Sequence, residues 1–86
     1  MSEWFVYILR CADNSLYTGI TKDISRRIKE HNECNEKGAR YTRSRRPVYI
    51  VYTETYKHRS DASKREAAIK KLTHNEKCLL IKNDNK

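Results

Sequence analysis

The 86-residue chain holds only three cysteines, Cys11, Cys34 and Cys78, odd in number and far apart. That spacing excludes a disulfide framework and matches no zinc-ligand pattern, so reduced thiols in a cytoplasmic protein are expected. Long apolar runs are missing as well. The run from Trp4 to Leu9 is too short for a membrane span or a signal peptide. No repeat and no low-complexity linker divides the chain, and its length leaves room for one small domain with a modest core. That domain is read as 1–86, with a core over 3–81 and a frayed polar tail, KNDNK, over 82–86. Acidic residues are the scarcer sign, 11 against 19 basic ones, for a formal net charge of +8. The balance favours a polyanionic partner. A membrane surface is the weaker candidate, because no basic amphipathic helix rich in Trp or Leu is present.

What the sequence does have is a sharp local pattern. Phe5, Tyr7 and Leu9 alternate with Val6 and Ile8, as on the two faces of a strand. Asp13-Asn14-Ser15 is turn chemistry, and Leu16 to Ile20 resumes a strand pattern. Thr21 or Asp23 can cap the helix that follows, on which Ile24, Ile28 and His31 share a face. Glu33 to Gly38 is polar, and its glycine suits a helix stop or turn. The basic segment ARYTRSRRP reads as a loop ended by Pro47, followed by a strand over Val48 to Thr53. Tyr56 to Arg59 is a connection, with Ser60 as N-cap and Asp61 in the first turn of a helix. On that helix Ala62, Arg65, Ile69 and Leu72 form a stripe bordered by Glu66. After Thr73-His74-Asn75 a short last helix runs through Leu79, Leu80 and Ile81. The order β-β-α-β-α-α gives an α+β domain, a small three-stranded antiparallel sheet flanked by helices.

Tyr7 and Tyr17 stand one in each of the first two strands, and Arg27 and His31 lie one helical turn apart just beyond. Any one of these has an ordinary reading. Strand tyrosines usually pack, and Tyr49, Tyr52 and Tyr56 are expected to do only that. Arg26-Arg27 reads as a solvated pair, His31 as a packing histidine, and Glu66 as an i,i+4 partner of Lys70. His58 and His74 read as surface residues.

Taken together and in order, these residues resemble the GIY-YIG nuclease signature. Phe5-Val6-Tyr7 stands at the first triplet and Tyr17-Thr18-Gly19 at the second, with Arg27, His31 and Glu66 following in register. Phe5 and Thr18 depart from the motif at positions that carry no chemistry. The resemblance covers nearly the whole domain and is nearest to short stand-alone bacterial members. It extends to the nuclease subunit of the eukaryotic flap and junction endonuclease.

The resemblance implies a divalent-metal-dependent endonuclease that hydrolyses phosphodiesters, with DNA as substrate and a place in repair or recombination. It implies that one tyrosine, Tyr7 or Tyr17, is the general base. A free phenol has a pKa of about 10, so phenolate needs nearby positive charge, for which Lys22, Arg27 and a metal are candidates. Arg27 would steady the phosphate. His31 would bond a phosphate oxygen, orient Tyr7 or orient water. Glu66 would hold one hydrated Mg²⁺ (or Mn²⁺), and no carboxylate cluster offers room for a second ion. Arg40, Tyr41, Thr42, Arg43, Arg45 and Arg46 read as a phosphate clamp, with Tyr41 able to stack on an unpaired base. Low sequence specificity, and a protein partner that supplies it, follow as expectations. The rival reading is a nucleic-acid-binding module that uses this fold without cutting.

Overall fold

The computed structural model describes residues 3–34, 36–37 and 40–84. Strands β1 (Trp4–Arg10), β2 (Leu16–Thr21) and β3 (Tyr49–Tyr56) form a three-stranded antiparallel sheet in the order β2-β1-β3. Around it lie α1 (Ile24–Glu33), α2 (Arg40–Arg43), α3 (Arg59–Lys70) and α4 (His74–Asp84). The central β1 explains the unbroken apolar run near the start. Val6, Tyr7, Ile8 and Leu9 are all buried, because both faces of the strand are covered. On one face Val6 and Ile8 pack with Leu16, Tyr52, Ala62, Ile69 and Ile81, beneath α3 and α4. On the other, Tyr7 and Leu9 pack with Cys11 and Val48, against Tyr17, Ile28 and Ile50. The alternation expected along β1 is the one observed.

Local chemistry sets the connections. At the β1–β2 turn Asp13 Oδ1 accepts from the Ser15 amide at 3.0 Å, and Asn14 takes a left-handed φ of 67°, which asparagine tolerates. Helix α1 starts where Asp23 Oδ1 accepts from the Arg26 amide at 3.0 Å, while Thr21 Oγ1 accepts from the Asp23 amide at 3.1 Å. Both candidate caps are used, in series. Asn32 brackets Val48 through two hydrogen bonds, of 2.9 and 2.7 Å, so Val48 needs no ladder partner and β3 begins one residue later. The β1–β3 register slips between Ile8 and Leu9, where Val51 is passed over as a bulge.

Several expectations are corrected. The basic segment is not all loop, since Arg40–Arg43 forms a single helical turn. Strand β3 runs on to Tyr56, and α3 starts at Arg59 with the extended His58 as its N-cap, so Ser60 lies inside the helix. The chain needs only two residues to leave the sheet here, which leaves Ser60 no room to be the cap. Helix α4 begins at His74, directly after a reciprocal cap. The Thr73 amide donates to Glu76 at 2.8 Å, and Thr73 Oγ1 accepts from the Glu76 amide at 3.1 Å. It continues to Asp84, into the stretch read as a tail. Gly38, expected to stop α1, lies outside the described residues, as do Asn85 and Lys86.

Tyr52 and Tyr56 do more than pack. Both phenols donate to the Glu54 carboxylate, Tyr56 at 2.6 Å, and Arg65 of α3 grips the same carboxylate through Nε at 2.9 Å and Nη2 at 3.0 Å. This network ties β3 to the turn of α3 that carries Glu66. Tyr49 is half exposed, at 52 % of its surface, and is not a core residue.

Candidate active site

The centre of the site is the Tyr7 phenol, which crosses from β1 over its partner residue Gly19 on β2. A Cβ at Gly19 would lie 2.5 Å from Tyr7 Oη and 2.7 Å from Cζ, so only glycine leaves the phenol this path. Tyr7 Oη is 2.9 Å from His31 Nε2, and His31 Nδ1 is 2.9 Å from Thr42 Oγ1. All three side chains are buried. Tyr17 packs its ring edge to face against His31, 5.2 Å between centroids, and lies 6.5 Å from the Tyr7 ring. A strand pair, α1 and α2 thus each deliver a side chain to one hydrogen-bonded chain.

Arg27, one turn before His31, joins them. Its guanidinium donates to the Glu30 carboxylate at 2.9 Å and the Lys37 carbonyl at 2.5 Å, and its charge acts on the Tyr7 phenol. Burial pushes the Tyr7 phenol up to about 12. Arg27 works against that rise, and the charges of Tyr17 and Glu66 add to it. Burial likewise depresses His31 to about 4, helped by the positive charges of Arg27 and Arg46 and opposed by Glu30. Near neutral pH the resting pair is therefore a neutral phenol bonded to a neutral imidazole. Of the groups expected around His31, the Tyr7 phenol is the one the structure places against its ring nitrogen.

Glu66 is half-buried and pairs with Lys70 at 3.4 Å, so the ordinary i,i+4 bridge exists. Its charge also reaches the phenol, being among those that raise Tyr7. No group of three or more potential ligands occurs among the described residues. One half-buried carboxylate could hold a single hydrated Mg²⁺, which takes one or two protein carboxylates and completes its shell with water and phosphate oxygens.

The remaining candidates divide. The Lys22 ammonium sits over the Trp4 ring, 5.1 Å from its centroid, and the cation acting on Tyr7 is Arg27 instead. Thr42 is fully buried behind His31, so it cannot touch nucleic acid. The Tyr41 ring stacks on Tyr17 at 5.9 Å and carries the Arg45 guanidinium at 4.1 Å, and Tyr41 is still exposed over 39 % of its surface. Arg45 also bonds Asp13 at 3.1 Å and the Tyr41 carbonyl at 2.8 Å. Arg46 donates to the carbonyls of His31, at 2.6 Å, and Cys34, at 3.1 Å, at the carbonyl end of α1. Much of the clamp is thus a brace for α1 and the hairpin, while Arg40 and Arg43 are exposed on α2. The Gly19 cradle and the Thr42 contact carry no local sequence signal, because each is made by a residue far away in the chain.

A family profile described as the GIY-YIG catalytic domain matches residues 3–78. The chain belongs to the GIY-YIG family, a family of nuclease domains. Within it, the chain is 65 % identical over 79 residues to a UPF0213 protein of Desulfotalea psychrophila, covering 92 % of this chain and 71 % of that one. It is 50 % identical over 82 residues to a UPF0213 protein of Staphylococcus aureus, covering 95 % and 98 %. Two solution NMR structures share the fold. A protein from E. faecalis is 40 % identical, with a TM-score of 0.67 over 99 % of this chain and 88 % of its own. The UPF0213 protein from Bacillus halodurans is 41 % identical, with a TM-score of 0.59 over 93 % and 83 %. No helix among the described residues is long and apolar enough to cross a membrane.

Proposed function

We propose that this protein is a divalent-metal-dependent endonuclease that hydrolyses phosphodiester bonds in DNA and acts in repair or recombination. The observation that carries the reading is the buried Tyr7–His31 hydrogen bond, with the charge of Arg27 acting on the same phenol. A phenol held near 12 is no base by itself at neutral pH, but the bond to His31 gives its proton somewhere to go. Water attacks phosphorus as Tyr7 Oη takes its proton, and the phenol's own proton passes to His31 Nε2. Arg27 meets the charge that builds on the phosphate. Tyr17, whose ring lies against His31, orients the water or a phosphate oxygen. Glu66 would hold the metal ion, which supplies stabilisation of charge on the leaving oxygen. Arg40 and Arg43 contact neighbouring phosphates. With Arg45 and Arg46 engaged internally, few side chains are left to read bases, so target choice falls to DNA shape or to a protein partner.

The test is cleavage of single-stranded, duplex, flap, junction and RNA substrates, with Mg²⁺ and with chelator. Tyr7→Phe keeps the ring and removes only the hydroxyl, and should lose cleavage by roughly 10²–10⁴-fold with binding nearly unchanged. Glu66→Gln should abolish the Mg²⁺ response, and Tyr49→Phe, on the exposed end of β3, should behave as the parent. Parent-like cleavage by Tyr7→Phe would remove the proposed base. Binding without cleavage on every substrate would make the protein a nucleic-acid-binding module.

A further inference from the structure

We infer that Thr42 is a positioning residue: its buried hydroxyl accepts the Nδ1 hydrogen of His31 and so keeps Nε2 as the acceptor facing Tyr7. The inference rests on the Tyr7–His31 relay proposed above and assigns what sets its direction. A neutral imidazole carries one hydrogen, on either nitrogen, and the partner of each nitrogen decides which. Thr42 can donate or accept, so the choice is made at the other end of the chain. There the Tyr7 phenol, buried with its ring, has His31 Nε2 as its hydrogen-bond partner among the described residues. A buried phenol hydrogen needs an acceptor. His31 Nε2, at 2.9 Å, is that acceptor only while it carries no hydrogen.

The hydrogen of His31 must then be on Nδ1, 2.9 Å from Thr42 Oγ1. In the reverse arrangement Nε2–H would point at the phenol oxygen, and the phenol hydrogen would have no acceptor among the described residues, a state native interiors avoid.

The surroundings hold Thr42 to this task. Its carbonyl accepts from the Arg45 amide at 3.0 Å, and the Arg45 carbonyl accepts from the Ala12 amide at 2.9 Å, which moors α2 to the hairpin. Next to it, Tyr41 stacks on Tyr17, and Arg46 grips the His31 carbonyl. Thr42 is therefore tied through its backbone to the hairpin and through its side chain to His31.

The experiment uses Thr42→Val, which keeps the shape and loses the hydroxyl, and Thr42→Ser, which keeps the hydroxyl. Ring-nitrogen NMR of the folded full chain at neutral pH should show His31 protonated on Nδ1 and bare at Nε2 in the parent and in Thr42→Ser. Thr42→Val should show a redistributed tautomer. In cleavage assays Thr42→Val should lose roughly 10–100-fold in kcat, the range for partners that orient a functional histidine. Its KM should be unchanged, and Thr42→Ser should recover most of the loss. A parent imidazole protonated on Nε2 overturns the assignment, as does a Thr42→Val tautomer identical to the parent's. A redistributed tautomer with parental kcat overturns the role in the reaction. Should Thr42→Val fail to fold, the parent and Thr42→Ser spectra still decide the tautomer. The NMR arm needs no cleavage, so a parent that cuts nothing sinks the nuclease reading and leaves the tautomer result standing on its own.

Discussion

At the scale of single residues, Thr18 and His31 show how burial converts polarity into measurable stability. Strand alternation turns Thr18 toward the face covered by α3, where it is buried and its hydroxyl has no hydrogen-bond partner among the described residues. A buried hydroxyl left unpaired costs about 1–3 kcal/mol, and valine has the same shape without it. Thr18→Val should therefore raise the urea midpoint by the equivalent of about 1 kcal/mol at unchanged slope. A lower midpoint would mean the hydroxyl has a partner. His31 is the opposite case, a titratable group buried neutral. Its folded pKa of about 4 lies below the ordinary 6.5, so between those values the unfolded chain binds more protons than the folded one. Stability should fall as pH is lowered from about 6.5 and level off below about 4, a total on the order of 3 kcal/mol. Asp13, Glu30 and Glu54, whose carboxyls are depressed, contribute stability that is lost only further toward acid, below the ordinary carboxylate range. Urea unfolding at pH 7 and pH 5 should differ by about 2 kcal/mol, assignable to His31. A flat profile over that interval would mean the imidazole is free to charge in the fold.

At the scale of elements, the ends of helices are set by a few hydrogen bonds that can be removed one at a time. The reciprocal Thr73–Glu76 cap starts α4, which carries Ile81 into the core. Thr73→Ala removes the side-chain half of it and should cost about 1 kcal/mol in thermal or urea unfolding, with the sheet intact. No loss would mean the helix is held by packing alone. The alternation in β1, the Asp13 turn and the Asp23 cap were legible, because each depends on neighbours within a few residues. The tyrosines, Arg27, His31 and Glu66 were legible as a set for a different reason, their order and spacing along a family signature. What could not be read were contacts between distant segments. Arg45 meets Asp13 across 32 residues and Arg46 meets the His31 carbonyl across 15, and nothing local distinguishes such arginines from solvated ones. The same holds for Thr42, which looks like a surface threonine among arginines until α2 folds over α1.

At the scale of the whole molecule, the charge of +8 predisposes the protein to polyanions, but its arginines differ in how far they face solvent. Arg40 and Arg43 are exposed on α2, beside the Tyr41 ring that stacks on Tyr17. Arg46 is half-buried and spends its guanidinium on two carbonyls of the α1 terminus. Phosphate contacts release counterions, so each one lost should lower the slope of log affinity against log salt by roughly 0.7–0.9. The double substitution Arg40→Ala, Arg43→Ala should weaken binding to all sequences alike and flatten that slope by about 1.5. Arg46→Ala should do the reverse. It gives up hydrogen bonds from a charged donor, each worth about 1.5–3 kcal/mol, and should lower the unfolding midpoint clearly while the folded fraction keeps the parental salt slope. Binding titrations over a range of salt, paired with unfolding curves on the same preparations, measure both quantities. If Arg46→Ala flattened the salt slope as much as the α2 pair, the brace would also be a phosphate contact. If the α2 pair left the slope unchanged, the nucleic acid would lie on another face of the molecule.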